Sequence, residues 1–359
     1  MIIKIYQNYL VKNYISTLLK ITFIFYCLIF IINIFEEINF FKNTESNIYM
    51  PLTLTFLNAP SVLYEIFPFI FLISTQFFFI NLFNDNQIQI FKYSGLRNSI
   101  IVRTISLLSF IIGLVIILFF YNFSSNFKNF YLELKNKYSS DDKYLAVITQ
   151  NGLWIKDKID GKINIINASK INNEFLIDTF ITEFNEKYEV IKNIHSEKIN
   201  IKERNWIAYN AKVFENNVST ESDQLELKSN FDYQKIQSLF SNLSSLSMLE
   251  LIGLKKNYET LNYSTTEVDL QIHKIISYPF YLTLMTILSS IIMFNTRNFK
   301  SSTFKISVGM FASVVIYYVN NFFNVMGKTE KISLMPSIWI PLILLIFINS
   351  TFLLKINDK

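Results

Sequence analysis

Few residues in this chain have the types and spacing that covalent chemistry needs. Glu36, Glu37 and Glu65 are the only acidic group at the ends of the apolar segments, and neither an HExxH pattern nor paired aspartates accompany them. Of the two histidines, His195 stands alone in a polar stretch and reads as a solvated surface residue. His273, beside Lys274, reads as an interfacial histidine rather than a proton relay. The single cysteine, Cys27, lies inside an apolar run, so the polar part of the chain holds neither a disulfide framework nor a cysteine metal site. Seven glycines are too scattered to form a phosphate cradle ending in Gly-Lys-Ser/Thr. The expectation is no catalytic cluster, no metal centre and no cofactor bound by this chain.

What the side chains can do is bind and move, and the elements that would position them are apolar. The chain has 359 residues, is 51% hydrophobic and only 17% charged, with 36 Phe and 20 Tyr. Six apolar runs lie near residues 21–35, 63–83, 100–120, 275–294, 303–323 and 335–355. Each approaches the ~20 residues a helix needs to cross the hydrocarbon core. Unpaired backbone amides are intolerable there, so such runs must be helices. The expected organisation is three spans in residues 1–120, an inserted domain in 121–269, and three more spans in 270–359.

Lys and Arg near span ends set the orientation. Lys4, Lys12 and Lys20 precede span one; Lys92, Arg97 and Arg103 lie in the turn between spans two and three; Arg297, Lys300 and Lys305 lie between four and five; Lys355 and Lys359 close the chain. The opposite loops carry only Lys42, or Lys328 and Lys331. Both termini are therefore expected in the cytoplasm and the insert outside it. The net charge of +5 is largely this bias and makes no case for nucleic acid. The first run lacks a small-residue cleavage site, so it reads as a span and not a cleaved signal.

Residues 121–138 continue the third span as a polar helix carrying Lys128, Lys135 and Lys137. Short alternating strands follow at 144–149, 152–156, 162–168, 176–184, 188–199, 205–214 and 222–227, with Asn151-Gly152 and Asp160-Gly161 as turn dipeptides. This spacing predicts an antiparallel sandwich or open barrel, an all-β, jellyroll-like domain. Ser247 is placed to cap a helix with Glu250 three residues on, and Leu249, Ile252 and Leu254 are expected on its inner side.

The turn at residues 84–95 has a helical pattern, with Ile88 and Phe91 on one face and Gly95, after Ser94, where a helix end needs it. A knob of this kind fits a groove on a nucleotide-hydrolysing partner, converting closure into helix movement. Pattern alone leaves a plain interfacial turn as the simpler account.

In order along the chain, several features resemble the LptF/LptG permeases of lipopolysaccharide export. They are the three-plus-three layout, Pro68 in Glu65-Ile66-Phe67-Pro68 taken as opening span two, the Ser94-Gly95 stop, and Asn151-Gly152-Leu153-Trp154-Ile155-Lys156-Asp157. Leu246-Ser247-Met248-Leu249-Glu250-Leu251 follows, then Lys274 with Pro279 at the start of span four. The resemblance is end to end, and the Gly-Leu-Trp run is more like the LptG branch. It implies a multi-pass half-transporter of the bacterial inner membrane, with a second LptF/LptG-type permease, a cytoplasmic ABC ATPase dimer that binds ATP and Mg, and a periplasmic jellyroll bridge as partners. Lipopolysaccharide would enter between spans one and five of the facing subunits and pass to jellyroll domains in the periplasm. The resemblance also tips residues 84–95 toward a coupling helix.

Two positions depart from the family. Gln87 stands seven residues before Ser94, where a glutamate that pairs with an ATPase arginine is usual, and Asn33 stands where LptG proteins tend to place a lysine. Asn33, Glu36, Glu37, Lys42, Lys128, Lys135 and Asn320 are the resulting lipid-path candidates in and near the spans, with Trp154, Phe180 and Trp206 in the insert. Lys128 and Lys135, seven apart, would share a face suited either to phosphate or to water. Two other classes fit the pattern less well. A lipoprotein-releasing permease would carry its large domain after span one, and a membrane-embedded hydrolase or glycosyl transferase would need acid or histidine clusters that are missing.

Overall fold

The computed structural model describes residues 5–42, 49–136, 138, 153–159, 161–172, 174–215, 218–233, 236, 242–260, 264–296, 301–354 and 356. The expected strand at 144–149, the Asn151-Gly152 turn, Asp160, and Lys4, Lys137, Arg297, Lys300, Lys355 and Lys359 lie outside the described residues. The chain divides into two compact units, one of residues 1–131 and 266–359, the other of residues 132–265.

Among the described residues six helices are long and apolar enough to cross a membrane. These are α1 (Ile5–Phe41), α2 (Met50–Asn84), the rod Asn98–Lys135, α7 (Thr266–Asn295), α8 (Ser302–Lys328) and α9 (Leu334–Leu353). The rod runs from α4 (Asn98–Val115) through a π-helical turn, Ile116–Tyr121, into α5 (Asn122–Asn136). The short α3 (Gln87–Tyr93) sits between α2 and α4. At 37 residues, α1 is roughly 56 Å long at 1.5 Å per residue. That exceeds the ~30 Å hydrocarbon core, so its ends project beyond it.

Burial is uneven among the spans. In their apolar 18-residue stretches, 72% of the residues of α2 and 61% of those of α7 are buried, against 22% in α1 and 11% in α8. Helix α2 packs against α1, α7 and α8, and α7 against α4, α8 and α9, so these two form the axis of the bundle. Pro68 lies well inside α2, with Pro60 a little earlier, and Pro279 lies inside α7. Neither Pro68 nor Pro279 marks a span start, because the helices extend far N-terminal of the apolar runs. The carbonyl that Pro68 frees, that of Tyr64, accepts from the Tyr278 hydroxyl of α7.

Among the described residues the second unit carries a six-stranded antiparallel sheet: β1 (Leu153–Ile159), β2 (Lys162–Asn172), β3 (Phe175–Phe184), β4 (Val190–Asn200), β5 (Asn205–Glu215) and β6 (Val218–Lys228). Neighbours follow chain order. Ile155, Ile166, Ile181 and Ile194 are register partners across four strands and build the apolar inner face. The sheet curls until β1 reaches the segment after β6: Asp157 of β1 is fully buried and accepts from Ser229 Oγ at 2.8 Å, Asn230 N at 3.0 Å and Asn230 Nδ2 at 2.8 Å. Of the two expected forms this is the single curled sheet.

Helix α6 (Met248–Thr260) begins with the expected capping box, Glu250 Oε2 accepting from Ser247 N at 2.7 Å and Ser247 Oγ at 2.8 Å. Its inner side differs from expectation. Leu251 and Leu254 are buried, while Leu249 and Ile252 are exposed.

Candidate functional site

The turn after α2 is built by local chemistry. Asn86 takes a left-handed conformation, φ 54°, and α3 starts at the next residue. At its end, Gly95 adopts φ 77° and its N–H bonds the Lys92 carbonyl at 2.9 Å, while Leu96 N–H reaches the Phe91 carbonyl at 2.9 Å. This is a Schellman ending, and only glycine takes that backbone without strain.

The face that α3 offers is not the expected one. Ile88 is 1% exposed and belongs to the bundle core, and Phe91 packs on that core and edge-on to Tyr9 at 6.3 Å. The apolar side chains left outside are Ile90 and Tyr93, at 60% and 88% exposure. Ser94 Oγ is spent on the Ile90 carbonyl at 3.0 Å. Gln87 Nε2 donates to Asp85 Oδ2 at 3.1 Å, which puts an exposed carboxylate beside the position where a glutamate was expected.

Near the other end of α1, Asn33 and Glu37 are buried one turn apart on the same side of the helix, while Glu36 and Lys42 are exposed. Tyr131 donates to Glu37 Oε1 at 2.9 Å. Lys128 donates to Asn58 Oδ1 at 2.6 Å and stands 4.7 Å from the centre of the Tyr131 ring. Lys128 is thus committed to the protein, and Lys135 is only 7% exposed. The amide Nδ2 of Asn33 has no hydrogen-bond partner. Asn320, on α8, is half-buried and hydrogen-bonds Tyr281 of α7.

Around these polar groups α1 and α8 present long apolar surfaces. Leu19, Phe23, Leu28, Ile31, Ile32 and Phe35 are exposed on α1, and Phe311, Val314, Val315, Tyr318, Phe322 and Val325 on α8. Such surfaces on a membrane helix suit acyl chains or another apolar helix. Lys305, counted above as an orienting charge, is 7% exposed, its ammonium 5.4 Å from the centre of the Phe83 ring.

Within the sheet unit, a cavity of about 230 Å³ has Ile166, Ile181, Ile194 and Trp206 on its wall together with the Lys162–Glu183–Lys192 cluster. Glu183 lies 2.8 Å from Lys162 Nζ and 3.3 Å from Lys192 Nζ. Burial alone would raise its pKa, but the hydrogen bond from Lys162 and the charge of Lys192 outweigh that and hold it below the usual carboxylate range. Trp206 is buried and donates Nε1–H to the Phe231 carbonyl at 2.8 Å. Trp154 and Phe180 share the opposite face of the sheet, where both are about half exposed. Phe180 stacks on His195 at 4.3 Å, and His195 pairs with Asp178 at 2.9 Å. The three aromatics named from the sequence therefore do not line one surface.

Among the described residues no group of three or more His, Cys, Asp or Glu is arranged to hold a metal ion. Residues 8–355 match the family described as Lipopolysaccharide export system permease LptF/LptG. No curated protein matches the chain.

Proposed function

The chain belongs to the LptF/LptG family of lipopolysaccharide export permeases, and from that premise we propose that it is one permease of a pair powered by a separate ATPase. It is a multi-pass transport subunit of the inner membrane and not an enzyme. The remaining assignments are our own: both termini cytoplasmic, the sheet unit periplasmic, and ATP with Mg bound by the partner. The Gly-Leu-Trp run favours the LptG role.

The observation that carries this assignment is the poor burial of α1 and α8 beside the well-buried α2 and α7. Two spans with so few buried residues in their apolar stretches leave room for a lipid and a second permease to share their apolar faces. Closure of the ATPase pushes α3 through the exposed Ile90 and Tyr93, α1 and α8 change their separation, and the amphiphile is squeezed outward. Its chains then enter the isoleucine-lined cavity of the sheet, where Lys162 and Lys192 suit phosphate, before handover to a bridge protein by strand addition.

Co-expression with a second permease and the ATPase of the same genome tests this. A complex that co-purifies, carries lipopolysaccharide and hydrolyses ATP is expected. A chain that purifies alone and ignores the ATPase would sink the proposal.

A further inference from the structure

Two neighbouring residues of α2 tie down the two poorly buried spans, one each. The Tyr14 hydroxyl of α1 is 3.2 Å from Thr75 Oγ1, and also 3.1 Å from Ser109 Oγ of α4 and 3.4 Å from Thr286 Oγ1 of α7. Thr75 spends its proton on the Phe71 carbonyl at 2.7 Å, which leaves its oxygen to accept from Tyr14. One residue on, Gln76 donates Nε2–H to the Lys305 carbonyl of α8 at 2.8 Å. Tyr14, Thr75 and Gln76 are all fully buried.

The α8 tie is close and specific. A Cβ on Gly309 would overlap the Gln76 amide, so the side chain lies directly against the α8 backbone. The second amide atom, Oε1, has no hydrogen-bond partner. An amide kept in an apolar bundle with half its capacity unused costs free energy, and a leucine would have packed there without that cost.

Thr75 and Gln76 also lie on the span that leads into α3. Helix α2 ends at Asn84 and α3 begins at Gln87. Eight residues separate Gln76 from Asn84, roughly 12 Å of helix at 1.5 Å per residue. Ile88 anchors α3 in the same core as Phe79 and Leu82 of α2. Apolar contacts between helices in lipid allow sliding, whereas hydrogen bonds fix a register, because breaking one strands a polar group in hydrocarbon.

We propose that Thr75 and Gln76 are positioning residues forming the node through which displacement of α3 reaches both α1 and α8. The proposal rests on the permease function above and adds the route of the movement. One helix reaches both spans because its consecutive side chains, about 100° apart around the axis, meet different neighbours.

The variants Gln76→Leu and Tyr14→Phe keep the packing volume and remove the ties. In proteoliposomes holding the chain with its second permease and ATPase, ATP hydrolysis should stay within about twofold of wild type. Lipopolysaccharide released per ATP should fall by about tenfold, the scale of a lost coupling. A parallel fall of both rates, or an unchanged ratio, would overturn the node. A second readout uses the chain alone in nanodiscs, with nitroxides on Leu28→Cys and Val315→Cys in a Cys27→Ser background. Either variant should broaden the distance distribution between the labels; an unchanged distribution rejects the tie even if transport is real. A wild-type chain that binds no ATPase fails the functional proposal instead, and the node falls with it as a route from α3.

Discussion

Ile88 and Ile90, two residues apart on α3, face opposite ways: Ile88 is buried at 1% exposure and Ile90 stands out at 60%. One holds the helix to the bundle, and the other is the side chain through which the proposed ATPase contact would be made. Ile90→Asp or Tyr93→Asp should therefore release the ATPase in a pull-down while leaving thermal unfolding unchanged. Ile88→Ala should do the reverse, destabilising the bundle by about 2–4 kcal/mol through the cavity it leaves.

The carboxylate of Asp85 lies 3.1 Å from Gln87 Nε2, and on the proposed coupling role it stands in for the charge that Gln87 lacks. Asp85→Asn should weaken ATPase binding by about tenfold, the worth of one charged contact, whereas Gln87→Ala should change it by less than about threefold. Titration of the purified chain with the ATPase by light scattering checks both, and equal effects would remove Asp85 from the interface.

Asp157 closes the curl of the sheet by three hydrogen bonds to residues 229 and 230. Asp157→Ala strands those donors, a loss of about 3 kcal/mol if each leaves part of its desolvation cost uncompensated. Hydrogen exchange in β1 and β6 should accelerate first, and the spans should be unaffected.

Glu183 gives the sheet unit an acid-sensitive element. Its folded pKa is depressed by Lys162 and Lys192, so its stabilisation is complete above the unfolded value of about 4.3 and is lost as pH falls through the lower folded value. Unfolding of β3 and β4, followed by exchange between pH 7 and 3, should show this loss at the acid end. Glu183→Gln should flatten that part of the profile while lowering stability at neutral pH.

Gly309 is the contact point of α8 on Gln76. Gly309→Ala should push the two helices apart and destabilise the bundle by about 1–3 kcal/mol, measured as a lower midpoint for thermal unfolding in detergent. Pairing it with Gln76→Ala should recover part of the loss, since the shorter side chain makes room.

The elements were legible because their signals are local. Strands expected at 176–184 and 205–214 fold as Phe175–Phe184 and Asn205–Glu215, since two-residue alternation and turn dipeptides act over a few residues. The Ser247–Glu250 box and the Gly95 cap were legible for the same reason: each involves groups within one turn. Helix ends were less so. Pro68 looked like a start because the apolar run begins near it, yet α2 continues 18 residues further back, to Met50.

The sequence by itself determined that this protein has six spans, an inserted sheet and a short capped helix between spans two and three. Hydropathy over ~20 residues and turn chemistry suffice for that, because lipid and backbone sterics impose the same demand on any chain. The tertiary structure alone decided which side of each element is used. It buried Ile88 and freed Ile90, sent Trp206 inward and Trp154 outward, committed Lys128 to Asn58, and set Thr75 and Gln76 between two different helices. Those outcomes depend on neighbours up to 229 positions away, as in the Gln76–Lys305 bond, and periodicity cannot tell which of two apolar faces will find a partner.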